Sequence, residues 1–144
     1  MVKVARIALP WVIAALVAVA VGSTFAPWFR SGDVTRTSYE TIRTAARLDL
    51  LDGSAATVAR FGWSFVPLMG CLAVLALLLE HRRVGALFAA IVGAASVALA
   101  AVVSRAPDNV EWGATVSIVA GLALLVASVL LLSTPNREGS PEQQ

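Results

Sequence analysis

The sequence predicts an all-α membrane protein, a bundle of four transmembrane helices with a helical extracellular loop between helices 1 and 2. Hydrophobic residues make up 58% of the 144 residues, against about 45–50% in soluble domains. They are concentrated in four spans, each long enough to cross a hydrocarbon core of roughly 30 Å. No charged residue lies inside these spans, which run about 7–25, 62–80, 84–103 and 113–132, with Glu80 marking the end of the second.

The charged and sulfur-containing residues exclude several functional classes. The formal net charge is only +2, so nucleic-acid binding is not expected. The single cysteine, Cys71, excludes an internal disulfide and a CxxC site. The single histidine, His81, has no neighbouring cluster of metal ligands, and no nucleophile lies beside an obvious base. We therefore expect no enzyme activity, no metal and no cofactor.

The first span begins after a short basic start that contains Lys3 and Arg6. Pro10 lies near its beginning, where a missing N–H costs least. Trp11 and Trp28 mark its two ends, as aromatic residues do at membrane interfaces. The same features fit a cleaved signal peptide, but Pro27 follows the best cleavage position, so a retained helix is favoured.

The outer loop, residues 26–61, is the only long polar interval before the C-terminal tail. Thr37 and Glu40 fit a capping box, and Gly53 fits a left-handed cap, which predicts a helix over about 38–51. This helix either packs on the bundle as a lid or presents its basic face to lipid phosphates or to a partner. The candidate partner or lipid surface comprises Trp28, Arg30, Tyr39, Arg43 and Arg47. Arg30 is expected to pair with Asp33 or Glu40, or to bind a lipid phosphate.

The other three spans are closely spaced. Only three residues, 81–83, connect spans 2 and 3, so these helices must be antiparallel neighbours. Small residues at four-residue spacing allow close helix approach in lipid, either within one bundle or between copies. The predicted helix-packing residues are Gly85, Ala89, Gly93, Gly113, Ser117 and Gly121. Residues 1–134 form the membrane domain, and residues 135–144 have the composition of a disordered cytoplasmic tail.

Orientation follows from the basic residues at the membrane surface. With four spans both termini share one side, and that side also carries Arg82 and Arg83 in the tight turn. Lys3 and Arg6 precede the first span, and together these residues favour cytoplasmic termini. The opposite side has one more basic residue, but there the basic residues alternate with acidic ones. The predicted location is the plasma membrane.

A weak motif lies in residues 27–53, in the runs PWFRSG, TRTSYE and RTAARLDLLDG. Placed after one span and before three more, it resembles uncharacterised small four-helix integral membrane proteins of actinobacteria. The resemblance implies plasma-membrane location and no assigned activity. The loop lengths also resemble those of claudin-like proteins, whose loop cysteine pair is missing here.

These features predict a non-catalytic accessory or scaffold subunit of a cell-envelope membrane complex, such as one for lipid or cell-wall transport. Its expected partners are the lipid bilayer and another membrane protein or further copies of itself. The alternative is a small oligomeric transporter or channel. A membrane regulator that senses lipid through Arg43 and Arg47 is a third hypothesis. A transport pathway would have to use hydroxyl side chains, of which the candidates are Ser64, Ser96, Thr115, Ser117 and Ser128.

Overall fold

The structure, a computed structural model, describes residues 2–47, 61–105 and 110–134. This part of the chain is mostly helical and contains one small strand pair. Residues 48–51 of the predicted loop helix, Gly53 and the predicted tail lie outside the described residues. The elements are α1 (Val2–Ser23), β1 (Pro27–Ser31), β2 (Val34–Thr37), α2 (Ser38–Arg47), α3 (Val66–Leu78), α4 (Arg82–Val103) and α5 (Trp112–Leu132).

Three helical segments are long and apolar enough to cross a membrane: Phe61–Leu78, Arg82–Val103 and Trp112–Leu132. They agree with the predicted second, third and fourth spans to within two residues at each end. The predicted first span corresponds to a shorter apolar segment, Ala8–Ser23, within α1. The described residues therefore support a membrane location through three spans and one shorter apolar helix.

The four long helices pack side by side, most extensively between α4 and α5, and then between α3 and α4 and between α1 and α5. Gly93 and Gly121 make the closest approach of α4 and α5. A Cβ atom on either glycine would lie 2.8 Å from the carbonyl oxygen of the other. Gly85 allows a similar close contact between α4 and α3, where a Cβ atom would overlap the side chain of Leu77. Small residues at these positions let the backbones meet.

All six residues predicted to pack helices are buried within the chain: Gly85, Ala89, Gly93, Gly113, Ser117 and Gly121. They therefore pack the helices of this chain against one another.

The strand pair corrects the all-α prediction. β1 and β2 are antiparallel and joined by Gly32 and Asp33, with Ser31 opposite Val34. Gly32 has φ +62°, and a glycine with positive φ at the first position is what a two-residue type II′ hairpin turn requires. Sequence did not reveal these strands because four and five residues are too few for an alternation of apolar and polar residues to stand out.

Candidate functional site

The β1–β2 hairpin, α2 and the start of the Phe61–Leu78 helix meet over one end of the helices. We call this region the aromatic cap, after its three central side chains, Trp28, Tyr39 and Trp63. The Trp28 and Trp63 rings meet edge to face with centroids 5.6 Å apart, and Tyr39 lies 6.5 Å from Trp63. Phe25 extends the cluster, 5.4 Å from Tyr39. Each such pair contributes about 0.5–1.5 kcal/mol beyond the area it buries.

Trp28 lies at the centre of the aromatic cap and is 0% exposed. Its indole N–H donates to the carbonyl oxygen of Ser23 at the end of α1, at 2.7 Å. A buried indole N–H needs such a partner, and the last carbonyls of a helix have no partner within the helix. The Ser23 carbonyl also accepts the Ala26 N–H at 3.2 Å, so the bond satisfies the indole N–H and fixes the hairpin to α1.

Ser38, the first residue of α2, connects three segments through its buried hydroxyl. The hydroxyl donates to the carbonyl oxygen of Thr24 at 2.6 Å and accepts the indole N–H of Trp63 at 2.9 Å. The start of α2 is thus tied to the end of α1 and to the Phe61–Leu78 helix. Sequence reasoning missed this role because both partners are distant in the chain.

A pair of buried hydroxyl groups joins α1 to α5. The Ser23 and Ser117 oxygens are 2.5 Å apart, and Ser23 also donates to the carbonyl oxygen of Ala20 at 2.8 Å. A serine has one hydroxyl proton, so with Ser23 donating to Ala20 it is Ser117 that donates to Ser23. Ser117 therefore combines the predicted helix packing with a hydrogen bond between helices.

The hairpin also rests on the start of α5. The backbone N–H of Glu111 donates to the carbonyl oxygen of Trp28 at 3.0 Å, and Phe29 forms an isolated β-bridge with Val110. Gly113 makes room for this contact. A Cβ atom there would overlap the carbonyl oxygen of Pro27 and lie 2.8 Å from Cδ1 of Trp28.

Arg30 forms an ion pair with Glu111, with Nε and Oε1 2.6 Å apart. The expectation that Arg30 pairs with Asp33 or Glu40 is therefore wrong. The hairpin lies along the start of α5 and brings Arg30 to a carboxylate 81 positions away in sequence. Because the Arg30 side chain is 59% exposed, the ion pair contributes at most about 1 kcal/mol to stability.

The predicted capping box is present at the start of α2. The Thr37 N–H donates to Oε2 of Glu40 at 2.9 Å, and the Glu40 N–H donates to the Thr37 hydroxyl at 3.4 Å. The hydrogen bond from the Thr37 backbone is the main reason why the pKa of Glu40 lies below its ordinary value, and the Thr37 hydroxyl adds to the effect. Each bond favours the charged carboxylate.

α2 lies on the protein as a lid and presents one polar side outward. Ile42 is buried and Arg43 is exposed, while Arg36 of β2 donates to the hydroxyl of Thr44. The side chain of Arg47 lies outside the described residues. In this arrangement α2 packs on the protein, as expected of a lid, and Arg43 is exposed where lipid or a partner could contact it.

Trp28 was predicted to belong to an exposed partner or lipid surface. This prediction is wrong, because the side chain is buried. The hairpin places its ring at the centre of the aromatic cap, where Trp63 lies beside it. Trp11 and Trp112 remain on the outside, 65% and 59% exposed. Of the five predicted surface residues, Arg30 and Arg43 are exposed and Tyr39 is half-buried.

The chemistry available in the aromatic cap is that of hydrogen bonds, ring contacts and one ion pair. Within the described residues, no group of three or more His, Cys, Asp or Glu side chains could hold a metal ion. Comparison with protein families, with curated proteins and with solved structures gives no match.

Proposed function

We propose that this chain is a non-catalytic plasma-membrane protein that crosses the bilayer four times and serves as an accessory or scaffold subunit of a cell-envelope complex. Both termini would be cytoplasmic, and the aromatic cap would face outward. The observation that carries the proposal is the construction of the aromatic cap. Buried bonds of Trp28 and Ser38 hold it on the helices, while Arg43 is left exposed on its outer side.

The membrane placement is supported by the outer faces of the helices. Large apolar side chains are exposed on every long helix, among them Val19, Leu75, Leu87 and Val126. A soluble monomer rarely exposes so much contiguous apolar surface, whereas hydrocarbon lipid tails solvate it. α1 has 22 residues, about 33 Å at 1.5 Å per residue, which is sufficient for a crossing.

Topology can be tested with single cysteines in a Cys71→Ala background. In intact cells, a membrane-impermeant maleimide should label Arg43→Cys on the outside. It should label Arg83→Cys, in the turn before α4, only after the cells are opened. Labelling of both positions, or of neither, in intact cells contradicts four spans with an outer cap.

A partner docked on the aromatic cap would need acidic groups to meet Arg43 and Arg47. We therefore expect the protein, expressed at native level and solubilised in mild detergent, to migrate on native gels as part of a larger complex. The double variant Arg43→Glu/Arg47→Glu should release it as a smaller species. The matched control is Arg105→Glu, an exposed arginine in the second outer loop, which should leave the complex intact. Migration of the unaltered protein alone contradicts the scaffold proposal.

The alternative, an oligomeric transporter or channel, depends on the five hydroxyl residues of the spans. Ser64 and Thr115 are exposed, whereas Ser96, Ser117 and Ser128 are buried inside the helices. None of the five lines either groove found beside α1. Ion or solute flux through liposomes that contain the purified protein would favour the transporter, and its absence would favour the scaffold.

A further inference from the structure

A long groove runs between α1 and α3 on the outside of the helices. Its first stretch has a volume of about 380 Å³ and a second stretch about 320 Å³, and the two share Val74 and Leu78. We call the two together the α1–α3 groove. The groove follows α3 from Pro67 to Leu78, about 16 Å along the helix, which is close to half of the roughly 30 Å hydrocarbon core.

The lining of the α1–α3 groove changes along its length. The first stretch is apolar, between Val17 and Val21 of α1 and Gly70 and Cys71 of α3. The second stretch ends among Trp11, Glu80 and Arg82. The groove therefore has the length of one lipid leaflet, an apolar body and a charged end, with an exposed tryptophan at the level where tryptophans mark the membrane interface.

The turn that supplies the charged end contains a residue in an unfavourable backbone conformation. Glu80 has φ +63° in a Schellman motif, in which the His81 N–H bonds to Ala76 O at 2.8 Å and the Glu80 N–H to Leu77 O at 3.1 Å. Glycine is the usual residue at this position because a Cβ atom is unfavourable there. A strained residue of this kind is a reason to look for a function.

The two charges are also placed against the helix dipoles. Glu80 follows the C-terminus of α3, where negative charge is unfavourable, and Arg82 begins α4, where positive charge is unfavourable. Neither side chain forms an ion pair within the described part of the chain. Turn geometry and helix electrostatics would both favour other residues, so a ligand that carries both charges is the simplest use for this pair.

We infer that the α1–α3 groove binds one zwitterionic phospholipid with a phosphoethanolamine headgroup. Its phosphate would meet the guanidinium of Arg82, its ammonium would meet the carboxylate of Glu80, and one acyl chain would lie in the apolar stretch beside Cys71. Charge complementarity selects a zwitterionic headgroup, because a purely anionic one would leave Glu80 without a partner and close to negative charge. Among zwitterionic headgroups, a primary ammonium can donate hydrogen bonds to the Glu80 carboxylate, which a quaternary choline cannot. The inference rests on the membrane placement proposed above.

The test uses the full-length protein in nanodiscs and a phosphatidylethanolamine that carries a diazirine in its acyl chain. After irradiation, peptide mapping should place the crosslinks on α1 around Val17 and Val21 and on α3 around Cys71. Unlabelled phosphatidylethanolamine should compete, and phosphatidylglycerol should compete less well. Arg82→Gln and Glu80→Gln should each weaken binding by about three- to tenfold, whereas the adjacent Arg83→Gln should not.

Two further variants separate lipid binding from folding. Ala18→Leu should fill the groove and lower the crosslinking, while Ala98→Leu, on an equally exposed face of α4, should leave it unchanged. Glu80→Gly should raise the melting temperature of the purified protein by relieving the positive φ, and at the same time remove the preference for phosphatidylethanolamine. A variant that affected only folding would not raise the melting temperature and remove the lipid preference at the same time.

The inference is overturned if both lipids compete equally or if crosslinks spread over all the helices. Either outcome would assign the groove to bulk lipid. The cysteine-labelling experiment on Arg43→Cys and Arg83→Cys keeps the two proposals apart. If that topology holds while crosslinking shows no selectivity, only the lipid site is wrong.

Discussion

Replacing Gly113 with alanine tests whether the aromatic cap is rigidly seated on α5. The added Cβ would overlap the carbonyl oxygen of Pro27 and lie 2.8 Å from Trp28 and 3.0 Å from Ala26. Because the nearest atom is backbone, the hairpin itself has to move. Overpacking of this kind costs about 1–3 kcal/mol, and a weakened bond between Glu111 N–H and Trp28 O adds about 0.5–1.5 kcal/mol.

Gly22→Ala is the matched control for this substitution. Gly22 is also helical, in α1, and a Cβ atom there would meet nothing within 4 Å. Alanine should therefore raise stability by about 0.5–1 kcal/mol, the usual difference from glycine inside a helix. The free energies of unfolding of the two variants should differ by roughly 2–5.5 kcal/mol once the overpacking, the weakened hydrogen bond and the gain at Gly22 are included.

The assay is unfolding of the purified protein in detergent, followed by near-ultraviolet circular dichroism of the packed tryptophans. Gly113→Ala should lower the midpoint and weaken the signal of the Trp28–Trp63 pair, while Gly22→Ala should do neither. The reasoning would be refuted if both variants unfolded at the same midpoint with unchanged tryptophan spectra. That result would mean that the hairpin shifts freely on α5.

Three other predictions concern single contacts. The capping box lowers the pKa of Glu40, so its stabilisation is complete above the ordinary carboxyl pKa and is lost as pH falls through the lowered value. Hydrogen exchange of α2 amides, corrected for intrinsic rates, should speed up over that acidic range and should not do so in Glu40→Gln. A double-mutant cycle of Ser23→Ala and Ser117→Ala should give a coupling of about 1 kcal/mol, and additive effects would mean that the hydroxyls do not bond. The same cycle on Arg30→Ala and Glu111→Ala should give about 0.2–1 kcal/mol at low salt and less at high salt, and a salt-independent coupling would contradict an exposed ion pair.

The features that sequence predicted correctly are those encoded by nearby residues. Uninterrupted apolar runs locate three long spans because lipid excludes charge over a fixed length. The capping box was visible because Thr37 and Glu40 are three positions apart. The packing glycines were visible because helical spacing puts Gly85 and Gly93 near one face, and the structure buries them there.

The features that sequence could not provide depend on segments that are distant in the chain. Trp28 at the end of an apolar run has the pattern of an interface residue, and only the return of α5 beside the hairpin encloses its ring. Arg30 had two acidic neighbours nearby in sequence, yet its partner is Glu111. Local spacing gives a list of possible partners, and the tertiary fold selects among them.

Glycine usage in this chain bears on how Glu80 should be interpreted. Where a turn needs positive φ, the chain has Gly32, and where backbones must touch, it has Gly93 and Gly121. Glu80 departs from this rule, since it occupies a glycine position and carries a charge that α3 disfavours. Within the described residues it is the one non-glycine residue with positive φ, and it lies at the charged end of the α1–α3 groove. Folding alone would favour glycine there, and the inferred phosphoethanolamine headgroup gives the Glu80 carboxylate a partner.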